Sequence, residues 1–171
     1  GDYIMLCDHD DVVAPDALFH IVKAITEQKA DVIYTDEDKM SMDGHKFFQP
    51  HFKPDYNPDL LCTVNYICHL FVVSRKVIEK VGGLRSEFDG AQDYDFVLRL
   101  TENTKKIYHC PRILYHWRCS NQSTAANQGN KMYAIHAGKA ALNAHYKRIG
   151  WNARAQDNSG YLSAKSKHTC F

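Results

Sequence analysis

The sequence predicts an α/β fold. Short continuous apolar runs of buried-strand type alternate with stretches whose apolar residues recur at helical spacing. Acidic clusters follow two of the predicted strands, where ligands gather in open α/β sheets. At 171 residues and 44% hydrophobic, the chain is long enough for one core and too short for two comfortable domains.

The elements follow in order. Tyr3–Cys7 reads as a first strand, of the kind buried in a parallel sheet. Pro15 and Asp16 suit the first turn of a helix whose apolar stripe is Leu18, Ile21, Val22 and Ile25. Asp31–Asp36 forms a second strand and runs into Asp36-Glu37-Asp38. From Met40 to Asn57, Gly44, Pro50 and Pro54 predict a long loop with at most a short hairpin at Phe47 and Phe48. Pro58–Thr63 reads as a short helix, Ile67–Val73 as a buried strand, and Arg75–Val81 as a helix closed by Gly82-Gly83. Asp93–Glu102 is a helix with Phe96, Val97 and Leu100 facing inward, followed by two short strands, Ile107–Cys110 and Ile113–Tyr115. Residues 130–149 form a last helix with Met132, Ile135, Leu142, Tyr146 and Ile149 on one stripe. The domain is expected to end near residue 150, leaving 151–171 as a polar tail or linker.

Composition narrows the function. No apolar run approaches the roughly eighteen residues that span a bilayer, and nothing at the amino terminus reads as a secretion signal, so a cytoplasmic setting is expected. The six cysteines contain no CxxC pair and are expected to be reduced thiols; their spacing also argues against structural zinc. A net charge of +1 argues against nucleic acid as a partner. The charge is uneven, with acids dominating residues 1–43 and bases dominating 129–171. The basic helix around Lys139, Lys147 and Arg148 is either a solvated face or a contact for the inner face of a membrane.

The strongest chemical signal is Asp8-His9-Asp10-Asp11, at the end of one predicted strand and before a helix. Three crowded carboxylates repel one another unless a cation neutralises them, and hard oxygen ligands suit Mn²⁺ or Mg²⁺ across a diphosphate. The competing reading is an acidic turn that caps the following helix. Asp93 opens a helix, where the dipole keeps a carboxylate ionised. His116 and Arg118 lie two residues apart and share a face if the segment is extended.

Five segments together carry a resemblance: Gly1-Asp2-Tyr3-Ile4 running into Asp8-His9-Asp10-Asp11; Asp31 to Lys39; Lys53-Pro54-Asp55-Tyr56-Asn57-Pro58-Asp59-Leu60-Leu61; Gly90-Ala91-Gln92-Asp93-Tyr94-Asp95; and Tyr115-His116-Trp117-Arg118 with Ser123-Thr124-Ala125. In this order they resemble the family 2 glycosyltransferases that build bacterial surface polysaccharides and O-antigens, rhamnosyltransferase-like enzymes among them. The resemblance implies a GT-A fold and inverting, metal-dependent transfer from a UDP- or dTDP-sugar to a saccharide or lipid-linked saccharide acceptor. It assigns Asp10 and His116 to the metal, Asp8, Asp11 and Arg118 to the donor, and Asp93 to the general base. Tyr56, Asn65, Tyr66, Gln92 and Asp95 fall in the acceptor groove, while Trp117 is expected in the core. By the same resemblance, about a hundred residues of nucleotide-binding half are expected upstream, and without them an open sheet edge is expected to favour self-association. A non-catalytic glycan- or partner-binding module is the competing class; a processive synthase is disfavoured because no Gln-x-x-Arg-Trp element is present.

Overall fold

The computed structural model describes residues 1–119, 128–158 and 161–166. Its main sheet has strand order β1-β5-β3-β6-β2, with β4 also paired to β3. The strands are β1 (Tyr3–Leu6), β2 (Val12–Val13), β3 (Val32–Met40), β4 (Phe47–His51), β5 (Phe71–Ser74) and β6 (Ile107–Arg118). The helices are α1 (Ala17–Gln28), α2 (Pro58–Leu61), α3 (Arg75–Val81), α4 (Gln92–Glu102) and α5 (Gln128–Arg148).

The sheet is mixed rather than parallel. Among the described residues only β3 and β6 run parallel; β1 meets β5, and β3 meets β5 and β4, in antiparallel ladders. The apolar runs are continuous because both faces are covered. Val32, Tyr34, Phe71 and Val73 pack with Leu98, Leu142 and Tyr146 on the α4–α5 side. Ile33 and Val72 point the other way, to Ala17, Ile21 and Ala24 of α1.

Several expectations need correction. On α1 the buried residues are Ala17, Ile21 and Ala24, while Leu18 and Val22 are exposed. Small alanines let the helix approach the sheet closely, and that selects the face over the larger apolar side chains. In α5, Ala141, Leu142 and Tyr146 are fully buried, whereas Met132, and Ile149 just past the helix end, are exposed. The two strands expected at 107–115 are one, β6; Pro111 and Arg112 fall where the register against β3 shifts, a position that tolerates proline's missing N–H. The strand expected from Ile67 begins only at Phe71. In the stretch read as a polar tail, β7 (Ala153–Asn158) and β8 (Tyr161–Ser166) pair as a hairpin, and the Ala155 N–H donates to Asn143 Oδ1 at 2.9 Å.

Cys7, Cys62, Cys68, Cys110 and Cys119 are free thiols; Cys170 and the Ser123-Thr124-Ala125 segment lie outside the described residues. Among the described residues, no helix is long and apolar enough to cross a membrane. Arg148 is paired, its guanidinium forking onto the Glu102 carboxylate at 2.7 and 2.8 Å.

Candidate active site

Most of the predicted site residues sit along one end of the sheet. Beyond β1, the Asp8 N–H donates to Tyr115 Oη at 3.0 Å, and its carboxylate lies 3.6 Å from His69 Nε2. Asp11 accepts the Arg118 backbone N–H at 2.7 Å and the Tyr115 hydroxyl. Burial first, and then the Asp11 carboxylate, push the Tyr115 phenol far up, so it remains a protonated donor. Arg118 Nε donates to the Asp10 carbonyl and Nη1 to the Met42 carbonyl, each at 2.7 Å. β6 thus fixes the acidic turn through Tyr115 and Arg118. The Asp10 side chain stays 54% exposed, with the His9 Nδ1 atom 4.0 Å from its Oδ1.

β3 extends to Met40, so Asp36, Glu37 and Asp38 belong to the strand and are buried rather than following it in a loop. Each carboxylate has its own basic partner. Asp36 meets His109 Nε2 at 2.8 Å and accepts the Lys53 N–H at 2.9 Å. Glu37 meets Lys53 Nζ at 3.0 Å, and Asp38 meets His116 Nδ1 at 2.6 Å. An ionised carboxylate only accepts, so the short contact puts a proton on His116 Nδ1 and turns Nε2 away from Asp38. Lys53, whose ammonium end is fully buried, also donates to the carbonyls of Ile67 and His69 at 2.7 and 2.5 Å. That strut holds residues 67–70 out of regular strand.

Asp93 is exposed in the first turn of α4 and accepts one hydrogen bond, from Asn65 Nδ2 at 2.9 Å. Cys68 Sγ donates to the Asn65 carbonyl at 2.9 Å, and burial pushes this thiol up to about 12. Residues 65–69 therefore touch Asp93 at one end and Asp8 at the other.

Two acceptor-groove expectations fail. Asp95 is fully buried, bonded to Arg85 Nη2 at 2.5 Å and Arg99 Nε at 2.8 Å. Burial opposes its charge, yet the two guanidinium groups win and hold the carboxyl below the usual range. Residues two apart on a helix face opposite ways, which sends Asp95 inward when Asp93 faces out. Tyr66 is buried as well, its hydroxyl accepting the Asn57 N–H at 2.8 Å and its ring edge-on to Tyr34. Tyr56 is half-buried against the same core, and Gln92 Oε1 accepts the Gly90 N–H at 2.8 Å.

Sequence reading passed over Tyr115, His69, Lys53 and His109. Tyr115 and Lys53 stood inside the motifs without a role, and His69 was only a polar interruption of an apolar run. Trp117 is 41% exposed rather than in the core.

Among the described residues, no three His, Cys, Asp or Glu side chains are grouped to hold a metal by themselves. The donor chemistry nonetheless fits a hard cation. Mg²⁺ is commonly held by one or two carboxylates plus substrate phosphates, and Asp10 offers an open carboxylate. His116 has the carboxylate-oriented imidazole typical of metal-binding histidines.

Residues 1–82 match the family described as Glycosyl transferase family 2. Over 151 residues the chain is 46% identical to an uncharacterized protein, y4gI, of Sinorhizobium fredii, covering 86% of this chain and 16% of that one. It is 40% identical over 154 residues to the O-antigen biosynthesis protein RfbC of Myxococcus xanthus, covering 90% of this chain and 12% of that one. The chain thus spans under a fifth of the length of these two relatives. Among solved structures, Staphylococcus aureus TarS 1–349 in complex with UDP-GlcNAc superposes with a TM-score of 0.53 at 15% identity, covering 86% of this chain and 49% of that one.

Proposed function

Because the chain belongs to glycosyl transferase family 2 and has its GT-A fold, we propose that it transfers a sugar from a nucleoside-diphosphate donor to a saccharide acceptor in cell-surface polysaccharide synthesis. The observation that carries this reading is the segment 65–69, which ties Asp93 through Asn65 to the Asp8 turn through His69. A base and a donor site must be held at fixed spacing for in-line displacement, and one short strap does so here.

In this reading the acceptor hydroxyl attacks the anomeric carbon as the bond to the diphosphate oxygen breaks, inverting the centre. Asp93 takes the hydroxyl proton, and Asn65 orients its carboxylate. Asp8 meets the donor ribose. Arg118 and Tyr115 hold the Asp10–Asp11 turn in shape, and Arg118 keeps further N–H groups for phosphate oxygens. Asp10, with His116 through Nε2, would hold Mn²⁺ or Mg²⁺, whose charge neutralises the departing diphosphate. Tyr56 and Gln92 border the acceptor side. The chain spans 49% of TarS 1–349, and a longer chain is proposed to hold the complete nucleotide pocket.

The test is a thermal-shift panel of UDP, dTDP, GDP and CDP with and without Mn²⁺, on this chain and an upstream-extended one. The expected result is stabilisation of the extended chain by one nucleotide, dependent on Mn²⁺ and abolished by Asp10→Asn. No shift in a well-folded extended chain overturns the reading.

A further inference from the structure

On the β3–β4–β6 surface lies an open hollow of about 370 Å³ that the roles above leave unused, lined by Glu37, Asp38, Lys39, Gln49, His51 and Trp117. Its volume falls at the small end of the range of about 300–1,000 Å³ typical of small-molecule pockets. Trp117 stands opposite Lys39 in the β3–β6 register, on the same face as Tyr115, with its indole partly open to solvent.

The chemistry of the lining selects a class of ligand. An exposed indole offers a flat apolar surface with one N–H donor at its edge. Around it the charges cancel: Lys39 and the buried Lys53 behind it stand against Glu37 and Asp38. Each is already engaged, Lys39 with Gln49 Oε1 at 2.7 Å, Glu37 with Lys53 and with His51 at 3.3 Å, and Asp38 with His116. The two lysines and two carboxylates sum to zero, so what remains is an aromatic plane ringed by amide, imidazole and carboxylate hydrogen-bonding edges. That suits a ring with apolar C–H faces and a rim of hydroxyls. Gln49 spends its carbonyl on Lys39 and keeps its NH₂ free to donate. Its backbone sits at φ 49, in the left-handed region, beside the shift in β3–β4 register.

Position supplies the second argument. Cys68 also lines the hollow. Its thiol reaches the Asn65 carbonyl beside Asp93, and its neighbour His69 reaches Asp8. The hollow is therefore linked through residues 65–69 to both the proposed base and the proposed donor turn. We propose that this hollow binds a neutral pyranose unit of the acceptor, stacked on Trp117 and hydrogen-bonded by the Gln49 amide. The assignment of that unit to the acceptor rests on the transferase reading.

The chain holds two tryptophans, so Trp151→Phe leaves Trp117 as the sole indole emitter. That variant is titrated with the methyl glycosides of glucose, galactose and rhamnose, and with methyl glucuronide. The expected result is a saturable emission change with at least one neutral glycoside and a weaker response to the glucuronide. Gln49→Asn tolerates the left-handed backbone while withdrawing the amide by one carbon. It should weaken binding about tenfold or more, roughly the loss of one good hydrogen bond, with the melting temperature unchanged. No saturable change with any neutral glycoside, a preference for the glucuronide, or an unaltered Gln49→Asn response each overturns the proposal. The nucleotide panel separates the two readings. Nucleotide stabilisation without a glycoside response sinks the subsite alone, while a glycoside response without any nucleotide effect keeps the saccharide site and sinks the transferase.

Discussion

Asp93 and Asp95 are two residues apart in the first turn of α4, yet they occupy opposite electrostatic worlds. Asp93 faces solvent with one amide partner, whereas Asp95 is sealed from water between Arg85 and Arg99. Arg99 in turn donates to the carbonyls of Val81 and Gly83, so the inner carboxylate anchors the end of α3 to α4. The same division recurs across the sheet. Asp36, Glu37 and Asp38 are buried and paired, while Asp10 is exposed and open. Carboxylates buried against basic partners hold the fold; those left exposed are available to a ligand.

That contrast breaks most severely at Asp93. In an active, extended chain, Asp93→Asn removes the base and should lower the transfer rate by about 10²–10⁴-fold while leaving the melting temperature where it was, as paired kinetics and calorimetry would register. Full retention of rate ends the base assignment.

Asp95→Asn should do the reverse. It leaves two guanidinium groups without their shared counter-charge and should cost about 3–5 kcal/mol in chemical denaturation. A loss under about 1 kcal/mol would mean that this cluster is not what secures α3 to α4.

A smaller effect comes from pH. The Asp95 and Glu102 carboxyls are both depressed on folding, burial opposing the charge and Arg85 with Arg99, or His145 with Arg148, outweighing it. A depressed group contributes stability that is present above its unfolded pKa and is lost as pH falls through the folded one. Unfolding midpoints should therefore hold steady above the ordinary values of 3.8 and 4.5 and decline below them. Asp95→Asn should flatten that decline, and an unchanged slope in the variant would assign the acid sensitivity elsewhere.

Much of this was legible along the chain. The α/β class, the order of elements and the Asp8–Asp11 turn follow from local periodicity and from strand ends, which depend only on neighbours in sequence. Face selection was not legible, because it depends on how closely an element approaches its partner: Ala17 and Ala24 took the sheet side of α1 from Leu18 and Val22. Nor were the pairings of Asp36 with His109, 73 residues away, or Asp38 with His116, 78 residues away. Those pairings decide whether an acidic run is a binding site or a strand interior.

The sequence by itself determined which residue types stand at the strand ends and at the first turn of α4, because hydrophobic period and helix-start chemistry are local. Only the tertiary structure decided which carboxylates are spent and which are free. The parallel register of β3 and β6 and the Lys53 strut bring distant charges within hydrogen-bonding reach, and burial then makes each of those pairings obligatory.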